Sequence, residues 1–144
     1  MAARSRAAVG VAALLGVSLS LGLAFAGQPG QQSIHDGVFT PEQVQAGEEL
    51  YVAICSECHS KDTFGPDYMV GWSGASVGEL FEQLQATMPY ENPGALEDKQ
   101  YTDVLVYIFN LNGVAAGEVE MPSEVEKLNE ISIDGPFKWN GYEH

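Results

Sequence analysis

A chain of 144 residues suits a single domain. Its 20 acidic residues against six Lys and Arg give a formal charge of −14, which excludes nucleic acid, whose phosphates would repel it, and disfavours anionic lipid surfaces. Two readings of the acid remain open: attraction of a basic partner protein, or solubility of a small exported chain.

Residues 1–26 read as a cleavable signal peptide. Arg4 and Arg6 form a positive start, Ala7 to Leu23 an uncharged apolar run, and Ala24-Phe25-Ala26 a small-x-small cleavage site. The alternative is a retained membrane anchor, for which the run is short. No stable membrane insertion is expected after cleavage. Residues 27–39, rich in Gly and Gln, read as a flexible N-terminal lead. Thr40-Pro41-Glu42-Gln43 is a helix start, with a capping threonine, Pro at the first helical position and Gln43 closing a capping box. Val44, Gly47, Leu50, Tyr51 and Ile54 then recur at helical spacing. Gly47 weakens this helix relative to Ala, which points to close packing by another helix.

The helix delivers the chain into Cys55-Ser-Glu-Cys58-His59, the Cys-x-x-Cys-His signature of covalent haem attachment. Two thiols three residues apart sit about one helical turn from each other and can add to two porphyrin vinyl groups. The next residue, His59, can then bind the iron. A thioredoxin-like pair would need a βαβ context. A zinc site would need more ligands, and His35 and His144 lie in tails. A Cys55–Cys58 disulfide would be strained and would leave His59 without a role.

Residues 60–75 carry Gly65, Pro66, Gly71 and Gly74 and read as loop. Ser76-Val77-Gly78-Glu79 is a second capping box, and the helix after it runs to about Thr87 with Val77, Leu80, Phe81 and Leu84 on one face. Residues 88–95 form a loop punctuated by Pro89, Pro93 and Gly94. The longest helix is expected from Glu97 to Asn112, with Tyr101, Val104, Leu105, Ile108 and Leu111 inward. Residues 114–144 form an acidic extension with a short helix near Ser123–Leu128, and Trp139 and Tyr142 are expected to pack back on the body. The fold class is therefore all-α, with three main helices in residues 40–113 around one prosthetic group. No repeat, sustained strand alternation, phosphate-binding loop or catalytic acid–base pair stands out.

A sixth ligand for the iron can come from Met69, Met88 or Met121. Met88 is favoured because it stands at a helix end before Pro89, far enough after His59 to cross the ring. Met69 follows His59 too soon, and Met121 lies beyond the last long helix. Trp72 has two readings, a haem neighbour or a plain core residue.

These motifs, with Met88-Pro89-x-x-x-Pro93-Gly94-x-Leu96, Tyr101-x-Asp103-x-x-x-Tyr107-Ile108 and Asn112-Gly113-x-x-Ala116-Gly117 before Met121-Pro122, resemble class I mono-haem cytochromes c. More narrowly they resemble the cytochrome subunits that accept electrons from periplasmic quinoprotein or molybdenum dehydrogenases. The resemblance implies a cytochrome c fold and one covalent haem c. It implies an N-terminal helix crossing a C-terminal helix at Gly47 and Tyr107, and a backbone carbonyl near Pro66 accepting from His59. It further implies a periplasmic, non-enzymatic electron carrier, with a dehydrogenase as donor and an oxidase or another cytochrome as acceptor. Two alternatives differ in class. One is a haem enzyme or gas-binding sensor with an open sixth position; the other is an anchored subunit of a larger respiratory complex.

Overall fold

The structure, a computed structural model, describes residues 32–141. The leader expected over residues 1–26, together with Tyr142 and His144, lies outside the described residues.

Helix α1 (Pro41–Leu50) starts where its capping signals stand: the Thr40 hydroxyl accepts from the Gln43 amide, and the Gln43 side chain accepts from the Thr40 amide. The helix then widens into a π turn at Tyr51–Cys55, closed by the Ser56 amide donating to the Tyr51 carbonyl at 2.9 Å. Such one-turn widenings recur at functional sites because they re-aim the side chains that follow. Helix α3 (Val77–Thr87) opens on the Ser76–Glu79 capping box, and α4 (Asp98–Leu111) on Glu97 with Gln100. A four-residue α5 (Val125–Leu128) lies in the C-terminal extension. Among the described residues no helix is long and apolar enough to cross a membrane.

The α1–α4 crossing organises the domain. A Cβ at Gly47 would collide with the Asp103 carbonyl oxygen and stand 2.9 Å from the Tyr107 Cβ, so glycine is what lets the two backbones meet. Beside it, buried Gln43 donates to Asp103 at 3.3 Å and to the Met121 carbonyl at 3.1 Å, while its own oxygen accepts from the Met121 amide at 2.8 Å. Every residue of α4 from Tyr101 to Phe109 is buried, not one face alone. The reason is its central position. α1 and α3 pack against it, and the ends of the chain complete the core around it. A helix so enclosed reads as apolar on most sides, as Val104 to Phe109 does.

Two segments differ from the sequence expectation. The lead is not free over residues 32–39: Ile34 and Phe39 are fully buried and Val38 nearly so. Burying side chains of this size contributes about 2 kcal/mol each, which offsets the ordering of a Gly-containing segment. The segment is also paired, because β1 (Gln32–Ser33) runs parallel to β2 (Ile131–Ser132) and the Gly117 amide donates to the Phe39 carbonyl at 2.7 Å. The stretch 60–75 is not all loop either. It forms a 3₁₀ turn (Lys61–Phe64) and a short helix α2 (Pro66–Gly71), begun by the fixed φ of Pro66. In the extension, Met121, Leu128, Ile131 and Ile133 join the core. Trp139 packs on the Tyr51–Tyr107–Leu111 cluster, held there by the Lys138 and Asn140 amides donating to the Asn112 and Leu111 carbonyls.

Candidate haem site

One large apolar cavity, of about 760 Å³, opens between the π turn, the 61–72 segment, α3 and α4. That volume is in the range of roughly 300–1,000 Å³ typical of cofactor pockets. Cys55, Cys58 and His59 line it from the π turn and the residues after it, and Met88 lines it from the end of α3. Both cysteines are free thiols, Cys55 half-buried and Cys58 exposed, and burial pushes the Cys55 thiol above its ordinary pKa.

The His59 wall is built from the aromatic side chains around it. The Tyr51 hydroxyl donates to the His59 carbonyl at 2.6 Å, fixing the backbone of the motif. The His59 ring lies 5.3 Å from the Phe64 ring, which in turn meets Tyr68 edge-on at 5.2 Å and Tyr51 edge-on at 6.1 Å. Phe64 is tied to α4 through its carbonyl, which accepts from Asn112 Nδ2 at 2.7 Å. Asn112 is wholly buried, donates also to the Ile108 carbonyl at 2.9 Å, and leaves its Oδ1 without a partner. Burial pushes the Tyr51 phenol up to about 12, so it stays a hydrogen-bond donor. Burial raises the Tyr68 phenol too, partly opposed by its hydrogen bond with Trp72.

The Met88 wall is a loop. The Met88 amide donates to the Leu84 carbonyl at 2.8 Å, closing α3, and the Met88 carbonyl accepts from the Tyr101 hydroxyl at 2.7 Å.

The structure thus brings Cys55, Cys58, His59, Met88 and Trp72 to one cavity. Met69 and Met121 are buried in the core, away from the cavity. Pro66, expected beside the haem, does not line the cavity: it is spent as the first residue of α2, and Thr63 and Phe64 form the wall before it. Exposed His35 lies with its Nε2 2.9 Å from the Asp134 carbonyl, linking lead to extension. Among the described residues no group of three or more His, Cys, Asp or Glu gathers into a metal site. Sequence reasoning missed Tyr101, read as core alone, and Phe64. The signal for Tyr101 was its hydroxyl, since a buried tyrosine usually finds a hydrogen-bond partner.

The residues present fit a covalently held porphyrin. Two free thiols border an apolar cavity that His59 and Met88 also line, and carboxylates are few in its lining. Residues 42–108 match the family model described as cytochrome c oxidase, cbb3-type, subunit III. No curated protein and no solved structure matches the chain significantly. The all-α fold with the α1–α4 crossing, the Cys55–His59 signature and the family match over residues 42–108 show a cytochrome c fold with a covalent haem c as its cofactor.

Proposed function

We propose that the protein is an exported, periplasmic electron carrier in which Cys55 and Cys58 attach the haem and His59 and Met88 hold its iron. The observation that carries this reading is that Met88, at the end of α3, lines the same cavity as the Cys-x-x-Cys-His motif. When bound, the haem supplies a one-electron ferric–ferrous couple. The chain's own residues attach it, fix His59 through Tyr51 and Phe64, and surround it with apolar side chains that exclude water and so tune its potential.

A dehydrogenase as donor and an oxidase or second cytochrome as acceptor suit such a carrier. The charged residues lining the cavity are Glu57 and Glu91, both acidic, and between Pro89 and Glu91 stands Tyr90, 84 % exposed. A partner with a basic rim around an apolar centre complements that mouth. It would also be steered by the formal charge of −14.

The test is a mass and an absorption spectrum of the exported protein. The expected mass is that of a chain beginning at Gly27 plus one haem. The expected ferric spectrum has the red methionine–iron band, and carbon monoxide leaves the reduced spectrum unchanged. A colourless polypeptide would overturn the proposal, and ready binding of carbon monoxide would favour a gas sensor or haem enzyme. A second reading, a subunit of an oxidase complex, draws on the description of the family model. Co-purification with a membrane oxidase would favour it.

A further inference from the structure

The loop that carries Met88 has little of its own to hold it. Residues 90–95 are exposed, and the loop's internal bonds run from the Asn92 amide to the Pro89 carbonyl, Gly94 to Met88 and Ala95 to Asn92. These shape the loop without attaching it to the helices below. Gln85 Nε2 donates to Asp98 at 2.8 Å and ties together the two helices that flank it, not the loop itself. One side chain of the domain body reaches both ends of the loop. Tyr101 on α4 is 1 % exposed, with its ring edge-on to Phe81 at 5.9 Å. Its hydroxyl donates to the Met88 carbonyl at 2.7 Å and accepts from the Leu96 amide at 3.5 Å.

We propose that Tyr101 is a positioning residue: its hydroxyl fastens both ends of the 88–96 loop to α4 and so holds the Met88 sulfur at the iron. This rests on the assignment of Met88 as sixth ligand. Because the ring is packed and the hydroxyl alone does the fastening, Tyr101→Phe removes the tether and leaves the packing. A buried neutral hydrogen bond shifts the equilibrium it supports by up to about tenfold. Opening of the loop frees the sixth position, so the apparent affinity for an added ligand rises with the fraction of open protein.

The probe is imidazole titrated into the ferric holoprotein. Tyr107→Phe serves as control, because it removes another buried tyrosine hydroxyl from the same helix, 3.4 Å from Glu48 and away from the loop. Y101F is expected to bind imidazole about tenfold more tightly than the parent and to show a weakened methionine–iron band. Y107F is expected to match the parent in both. A band present in the parent with unchanged imidazole affinity in Y101F would overturn the role of Tyr101 alone. Equal tightening in Y101F and Y107F would do the same, by revealing a general effect of lost stability. A parent protein without the band would overturn the Met88 assignment and this proposal with it.

Discussion

The two walls that bring His59 and Met88 to the cavity are held by different means. The His59 wall is redundant: a hydroxyl from Tyr51, ring contacts among Phe64, Tyr51 and Tyr68, and an amide from Asn112 all bear on it. The Met88 wall depends on the end of α3, on Leu96 packed against the core and on one polar side-chain tie, the Tyr101 hydroxyl. Where many groups share the positioning, loss of one is absorbed; where one group does it, loss appears in full. If His59 and Met88 hold the iron as proposed, the Met88 side is the place where ligand exchange would begin.

The largest effect is expected where both walls share a foundation. Gly47→Val forces a side chain into the Asp103 backbone at the α1–α4 crossing and should cost about 3 kcal/mol, measured by urea unfolding of the holoprotein. Asn112→Ala removes the donor to both the Phe64 and the Ile108 carbonyls and should cost about 2 kcal/mol in the same assay. The methionine–iron band should nevertheless persist, and its disappearance would break the proposed independence of the walls. Tyr51→Phe is the counterpart of Y101F on the His59 side. Its expected cost is about 1 kcal/mol, with imidazole affinity unchanged. Tightening equal to that of Y101F would abolish the asymmetry. The smallest effect is a slope. Burial holds the Tyr107 phenol above its ordinary pKa, partly opposed by its hydrogen bond to Lys61. The unfolded chain therefore gives up this proton first. The contribution is fully present below the unfolded value of about 10 and is lost as pH rises through the folded value. Y107F should flatten the fall in stability above that pH, read from unfolding midpoints across the alkaline range.

Legibility followed locality. α3 and α4 stand within a residue of their expected bounds because a capping box opens each and their apolar spacing is local. The short helix near Ser123–Leu128 forms over Val125–Leu128. The lead was hidden by its composition. Glycine at 37 reads as a breaker, yet its φ of +70° lets the chain turn where it passes Gly117. The partners that order Ser33 and Ile34 lie near residue 132, with Ser33 Oγ bonded to Asp134 across 101 positions. No periodic pattern encodes such a pairing. α2 was obscured by flanking glycines, although Pro66 was well placed to begin it.

The sequence by itself determined the chemistry: the spacing of Cys55, Cys58 and His59 is a property of five adjacent residues, and the caps and apolar periods of the main helices are likewise local. Tertiary structure decided which methionine reaches the cavity, which carbonyl Tyr101 holds, and that both ends of the chain belong to the core. Those outcomes depend on contacts between residues remote in the chain, and only the close approach of α1 and α4 at Gly47 brings them within reach.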